Sequence, residues 1–529
     1  MPNLNQNCRV TGKPFVITEW EQAFLKRMDM PLPTLCPEER QLKRLAHRNE
    51  RSLYQRTCDH CQKNMVALYP AATPFPVYCG DCFWGDSWDG GGYGQGYDLN
   101  RPFFEQFKEL LNRVPRVAVL SRNSQNSDYT NCEEQNKNCY LTFGGGYSED
   151  CMYSNFELYC KNCVDCSYVH KCELCYECMD LENCYHCFYL TDSKNCSDCF
   201  LGNDLIGCHD CFGCKGLRNK NFYIFNEPYS EEAYKKKVAE LLPKIQDADV
   251  QARFQELVRT VPTKFAQINN CENSTGGYLS NSQNCQWCFD AKNGKDSMYV
   301  TFGESFKDVL DCNVSYVGTE LVYNSQSVCL SASFVRCCNF SWTISFSDYS
   351  DSCHYSKNLF GCIGLKHKEY CILNKQYSKE DYEALAAQII EKMRAAGEWG
   401  EFFPFSPFAY NETIAQEYFP LTREEAARRG YGWKEENSIN NATGEAGTCK
   451  QCSKVYRIIP QEKAFYEKTG LTSPLFCYNC RHKNRIKHRN PPFLWTRACA
   501  ECKTPVASNY RPERPEKIVC EKCYLASVY

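Results

Sequence analysis

Near its C-terminus the chain reads CKQCSKVYRIIPQEKAFYEKTGLTSPLFCYNCRHKNRIKHRN, followed by CAEC and then CEKC. Cys449, Cys452, Cys477 and Cys480 form one set of four thiols, and Cys499, Cys502, Cys520 and Cys523 form another. Each C-x2-C turn offers two sulfurs on one side, and the intervening hairpin brings two turns together, as tetrahedral thiolate zinc requires. Cys58, Cys61, Cys79 and Cys82 repeat the pattern near the N-terminus, so the sequence predicts about three structural Zn2+ ions. His60, inside one of these turns, is not expected to be a ligand, because four thiolates already close that site.

The N-terminal stretch is a copy of the C-terminal one, displaced by 441 residues without a gap: Cys8 falls on Cys449, Cys36 on Cys477, Cys58 on Cys499 and Cys82 on Cys523. The copies share Glu21/Glu462, Phe24/Phe465, His47/His488 and Asn49/Asn490 as well. Thr11 and Glu39 stand where the second copy has Cys452 and Cys480. Cys8, Cys36 and Glu39 with a water would make a zinc site; a metal-free remnant is the favoured reading. After the second knuckle each copy carries arginines four apart, Arg40, Arg44 and Arg48 in the first and Arg481, Arg485 and Arg489 in the second. A helix starting there places them on one face, which with Lys483 and Lys487 would grip the phosphates of RNA or a ribonucleoprotein. The alternative is that they pack on aromatics or acids, or are solvated.

The stretch from Cys449 to Arg485, with its paired C-x2-C turns and Glu-x-x-Phe-Tyr, resembles the small domain family known as the probable zinc-ribbon domain. Both terminal modules, with FPVYCGDCFWGDSWDGGGYGQGYDLNRPFFEQF and GEWGEFFPFSPFAYNETIAQEYFPL, are also similar to an uncharacterised family of cysteine-rich bacterial proteins. The resemblance spans most of the chain and implies treble-clef-like zinc modules at both ends, without an activity.

Between the modules cysteines recur every twelve residues: Cys139, Cys151, Cys163, Cys175, Cys187, Cys199 and Cys211 in one column, Cys160, Cys172, Cys184, Cys196 and Cys208 in another. Cys166, Cys178, Leu190, Gly202 and Cys214, with Val169, Leu181, Ser193, Leu205 and Leu217, complete a track at every third residue. Four tracked positions per twelve residues describe one turn of a narrow β-solenoid. The geometry resembles the coils of certain insect antifreeze proteins, though no threonine ladder is present. A second run keeps the track from Cys288 to Gly318 and from Cys329 to Leu365. Both coils finish alike, FGCKGLRNKNFYIFNEPYSEEAY and FGCIGLKHKEYCILNKQYSKEDY, with Ser230 and Ser378 predicted as N-caps of helices over 231–260 and 379–396 that cover the coil ends. Most coil thiols read as small inert core residues; disulfides or stacked metal-binding thiolates are the other readings. Tyr140, Met152, Val164, Tyr176, Phe188, Phe200 and Phe212 form an aromatic stripe that packs inside the protein or docks a protein partner.

The expected fold is mainly β: two tandem solenoids with capping helices, flanked by duplicated zinc-ribbon or treble-clef modules. The domains are 1–90 (double module, first site degenerate), 91–124 (linker and helix), 125–228 (solenoid), 229–264 (capping helices), 265–377 (second solenoid), 378–440 (helix and connector) and 441–529 (double module). With 61 Lys plus Arg against 64 Asp plus Glu, no global field draws the molecule onto nucleic acid. MPNLNQNCRV lacks a basic stretch followed by an apolar core, and no run of 18 apolar residues occurs, so the expectation is a cytoplasmic chain with no membrane partner and reduced thiols. The 90–100 glycine run lacks a following Lys-Ser/Thr and reads as a linker, and no catalytic constellation stands out. The reading is a non-enzymatic zinc-binding scaffold that binds RNA or a ribonucleoprotein. A zinc or soft-metal store or thiol buffer, and a protein–protein adaptor, are the alternatives.

Overall fold

Buried every-third positions demand a backbone that turns every third residue, and the computed structural model, which describes residues 2–435 and 445–528, builds the centre of the chain that way. From Cys132 to Phe225 each third residue has positive φ, for example Asn138 at 54°, Asp150 at 55° and Asn162 at 51°. Asn and Asp tolerate this left-handed conformation better than other non-glycine residues, which explains their frequency two places after the tracked position. Residues twelve apart pair in parallel, as Val169 with Leu181, Leu190 with Gly202 and Cys199 with Cys211. Around each tracked position the amides alternate: Tyr140 donates forward to the Cys151 carbonyl, and Tyr153 donates back to the Tyr140 carbonyl.

The tracked residues form a buried core of thiols with Val169, Leu181, Leu190 and Leu205. Size is only part of why the track accepts Cys and Ser alike. The Cys178 thiol donates to the Tyr176 carbonyl two residues back, and its sulfur accepts the Leu190 amide one rung on (3.5 Å). Ser193 does the same, donating to the Thr191 carbonyl at 2.8 Å and accepting the Leu205 amide at 3.0 Å. Either side chain answers a buried amide that an alanine would leave unpaired, and adds a bond to a carbonyl that already accepts a backbone amide, from Tyr189 at Tyr176 and from Asp204 at Thr191. Gly202 is required for a different reason: a Cβ there would lie 2.7 Å from Leu190 Cδ1.

The second ladder follows the same rules with two longer rungs. Glu320 pairs with Ser333 and Gln326 with Asn339, thirteen residues apart, before the period returns to twelve at Trp342 and His354. The extra residues shift the track. Val328, not Cys329, takes the buried column, and Thr319 replaces Gly318. Each ladder ends in an antiparallel hairpin, Tyr223 opposite Pro228 and Cys371 opposite Gln376, so the last strand is covered by its own chain. Ser230 and Ser378 then cap helices Glu231–Leu241 and Lys379–Ala396, their hydroxyls accepting the Ala233 and Asp381 amides. The first helix breaks at Leu242–Lys244 around Pro243 and resumes as Ala248–Thr260.

Strand outweighs helix, in several sheets none of which closes. Among the described residues no helix is long and apolar enough to cross a membrane. The chain divides into two units that do not follow sequence order. Unit 1 (Met1–Ala118, Ala266–Lys434, Pro492–Leu494) combines the N-terminal module with the second ladder and the connector after it. Unit 2 (Val119–Phe265, Glu435–Pro491, Trp495–Tyr529) combines the first ladder with the C-terminal module.

Candidate metal centres and the arginine helices

Each terminal module places its cysteines on matching elements. Hairpin Leu4–Asn7/Pro14–Ile17 and helix Pro37–Leu45 in the first copy answer to hairpin Glu445–Thr448/Val455–Ile458 and helix Tyr478–His488 in the second. In the second copy the hairpin turn supplies one C-x2-C pair and the second pair begins at the helix N-cap, Cys477; in the first copy the same places hold Cys8 and, at the N-cap, Cys36. The same plan recurs at Cys58–Cys82 and Cys499–Cys523, where Cys79 caps a short helix.

Among the described residues three groups bring four sulfurs within 4.8 Å of one another and can hold metal ions: Cys58, Cys61, Cys79 and Cys82; Cys449, Cys452, Cys477 and Cys480; and Cys499, Cys502, Cys520 and Cys523. Cys61 and Cys79 sulfurs are 3.8 Å apart, Cys452 and Cys477 3.7 Å, and Cys502 and Cys520 3.6 Å. A metal held at about 2.3 Å by tetrahedral thiolates separates its sulfurs by about 3.8 Å, so the residues fit such an ion. Burial pushes the first thiol of each group up, but backbone amides more than reverse it. Those of Cys477, Cys452 and Gln451 bring Cys449 down to about 6, those of Cys520, Cys502 and Glu501 bring Cys499 to about 6, and Cys58 falls to about 7. One thiol of each group is thus inclined to the thiolate, the form that binds metal, while Cys82, Cys480 and Cys523 of the same groups are pushed up by burial and by their neighbouring thiols.

Cys8, Cys36 and Glu39 do not make a fourth group. Cys8 and Cys36 lie in a small apolar cluster with Phe15, Ile17 and Leu35. The Glu39 carboxylate instead accepts two hydrogen bonds from Arg429 Nη1, at 3.0 and 2.9 Å.

The arginines fall on one face of each second helix, as the spacing predicts, but that face is covered rather than open. In unit 2 Arg481 pairs with Asp165 (3.2 Å) and Glu462 (2.9 Å) over the Tyr153 ring. Arg485 pairs with Asp165 (3.1 Å) and Glu177 (3.0 Å), and Arg489 pairs with Asp180 (2.9 Å) over the Tyr168 ring. Unit 1 repeats the scheme. Arg40 meets Glu21 (3.4 Å) and Asp311 (2.7 Å), while Arg44 meets Asp311 (3.2 Å), Asn313 (2.7 Å) and Asn324 (3.0 Å). Arg48 pairs with Glu50 over the Phe302 ring. All six guanidinium groups are buried against ladder carboxylates or aromatics, so the expected phosphate-gripping face is not presented to solvent. Lys483 and Lys487, from the same set, remain exposed.

The carboxylates that hold these arginines had a legible sign that sequence reading missed. Asp165 and Asp311 occupy left-handed positions of the two ladders, at φ 54° and 60°, where Asp is already favoured by conformation. Burial pushes the Asp165 carboxyl up, and Arg481 and Arg485 oppose that rise. The aromatic stripe is likewise covered: Met152, Val164, Tyr176, Phe188, Phe200 and Phe212 pack with Tyr234, Val238, Phe254, Phe465 and Tyr466, and Tyr140 lies against that cluster. It is core of unit 2, not a free docking stripe.

No family model matches the chain, and no curated protein matches it either.

Proposed function

We propose that the protein is a non-enzymatic, zinc-stapled scaffold for a protein partner. In this reading the ladders are two narrow β-solenoids, each bearing a treble-clef-like module docked through its arginine helix. Zinc is favoured because four thiolates at tetrahedral spacing suit it and a chain with reduced thiols supplies them. The observation that carries the scaffold reading is that both arginine helices satisfy carboxylates of the ladder in their own unit, so their charge fastens module to ladder. A metal store finds little support: the ladder thiols are almost all buried and donate to backbone carbonyls. An RNA partner would have Lys483 and Lys487 to contact, but not the three arginines beside them.

Elemental analysis of untagged protein, purified under reducing conditions, tests this reading together with a count of reactive thiols in the folded state. About three zinc ions and unreactive ladder thiols are expected. A clearly larger metal content, removable while the fold survives, would replace the scaffold with a store. RNA that stays bound in moderate salt and is released by Lys483→Gln with Lys487→Gln would restore the RNA reading.

A further inference from the structure

The duplication provides an internal control for one place in each unit. In unit 1, Pro33, Thr34, Leu35, Arg40 and Lys43 of the module face Tyr323 and Asn324 of the ladder, and the gap between them is filled by the chain's own connector at Gly400, Glu401 and Phe402. Only about 20 Å³ remains. The connector is held along its length. The Gly400 amide donates to Tyr349 Oη at 2.8 Å, and Asn324 Nδ2 donates to the Gly400 carbonyl at 3.2 Å. His47 Nε2 lies 2.6 Å from the Phe405 carbonyl, and Glu401 pairs with Lys43 (2.9 Å) and Arg9 (3.2 Å). Phe403 stacks on Phe107 with ring centres 5.0 Å apart.

In unit 2 the module residues 441 positions later, Pro474, Leu475, Phe476, Arg481 and Asn484, face Tyr176 and Glu177 of the first ladder, and among the described residues no connector lies between them. Helix Ala248–Thr260 lines one side with Phe254 and Val258, and the result is a cavity of about 880 Å³. Leu201 lines it where Tyr349 meets the connector in unit 1, twelve residues before Gly213 and Gly361 in the two ladders. His488, the counterpart of the histidine that faces the Phe405 carbonyl, lines it too. Asn490 supplies a second, independent sign. Its counterpart Asn49 accepts the Ser52 amide and donates to the Ser52 carbonyl, both at 3.0 Å. Asn490 lines the cavity with its Oδ1 buried and without a hydrogen-bond partner among the described residues. A buried acceptor left this way is destabilising unless a ligand or water answers it.

We propose that this cavity docks an extended, aromatic-rich peptide segment of another protein, as the equivalent place in unit 1 docks Glu398–Phe405. The lining fits such a segment. Asn490 Oδ1 accepts a backbone amide and His488 meets a backbone carbonyl. Tyr189, Leu201 and Phe254 enclose an aromatic side chain, and exposed Lys487 faces an acidic residue like Glu401. The chain's own connector is held within unit 1, so a second copy would have to release it before donating it. The proposal deepens the scaffold reading and rests on it. Metal analysis and peptide binding are separate measurements, so either can fail alone.

The test is fluorescence anisotropy of a labelled synthetic peptide, GEWGEFFPFSPF, the sequence of residues 397–408, titrated with the full-length, metal-loaded chain. Saturable binding with a Kd of about 1–100 μM is expected, weakened at least about tenfold by Leu201→Trp, which pushes a larger ring into the cavity. Asn484→Trp blocks the mouth from the outer side of its helix and should act alike, which covers the case that Leu201→Trp does not fold. Hydrogen exchange should slow at residues 176–203 and 472–490 when peptide is bound. The proposal is overturned by no binding up to about 1 mM or by binding that both substitutions leave unchanged. It is equally overturned if the substitutions instead disperse a dimer or release a U-rich oligonucleotide, which would assign the cavity to a second copy or to nucleic acid.

Discussion

Residues 4–50 and 445–491 carry the same hairpin, the same pair of helices and the same arginine register, yet the second has four thiols and the first has two. In the second copy the four sulfurs converge at metal-binding spacing. In the first, Cys8 and Cys36 pack with Phe15, Ile17 and Leu35, Glu39 is held by Arg429, and Glu401 of the connector ties down Arg9 and Lys43. The fold of the module therefore does not demand a metal. In unit 1 Glu401 of the connector links Arg9 of the hairpin turn to Lys43 in the last turn of the helix, whereas in unit 2 the four sulfurs at hairpin turn and helix start can share an ion. The same segment also fills the place that, among the described residues, stays open in the other unit.

Breaking the four-sulfur group should give the largest effect. Cys477→Ser with Cys480→Ser should lower the metal content by one ion per chain and open residues 445–491 to proteolysis, with a loss on the order of 10 kcal/mol of metal-coupled folding energy. Cys36→Ser should leave the metal count unchanged. A fall in metal content on Cys36→Ser would overturn the contrast between the two copies.

Next come the buried ion pairs, which both units share. Arg485→Met leaves Asp165 and Glu177 short of a partner in unit 2, and Arg44→Met does the same to Asp311 in unit 1. Each should cost about 3–5 kcal/mol in urea unfolding, because the remaining charge stays buried. If the arginines were merely solvated, both would cost less than about 0.5 kcal/mol.

A smaller effect should distinguish the units by pH. Glu133 and Glu157 are buried within unit 2, and burial pushes both carboxyls up, Glu133 to about 8. Burial also raises Glu177 to about 7, against the pull of Arg485, whereas in unit 1 the non-titrating Asn324 joins Asp311 against Arg44. A carboxyl with a raised folded pKa favours the folded state below its unfolded value, and that advantage is lost as pH climbs from about 4.5 through 8. Hydrogen exchange at residues 131–157 should therefore quicken between pH 5 and pH 8.5, beyond its intrinsic pH dependence, by an amount equivalent to about 2–3 kcal/mol. Glu133→Gln should flatten the profile; an unchanged profile would mean that the pair does not titrate in this range.

The smallest effect concerns the ladder cores. Cys178→Ser should cost no more than about 1 kcal/mol, since a hydroxyl can make the same bonds to the Tyr176 carbonyl and the Leu190 amide. Cys178→Ala should cost about 1–3 kcal/mol by leaving the Leu190 amide unpaired. Equal melting temperatures for the two variants would return the column to a purely steric role.

The sequence by itself determined the metal groups, the 441-residue duplication, the twelve-residue period, and the Ser230 and Ser378 caps. Each of these is local or periodic, so residue type and spacing carry it. The left-handed positions were also written there, in Asn and Asp at every third place, but their regularity was masked by Tyr153, Tyr189 and Leu201 at equivalent positions. Tertiary structure alone decided which module meets which ladder and hence what the arginines do. A guanidinium four residues from its neighbour looks the same whether a phosphate or Asp165 lies opposite. It also decided the shift at Val328 and the contrast between a filled and an open cavity, because both depend on residues hundreds of positions apart arriving, or not arriving, at the same place.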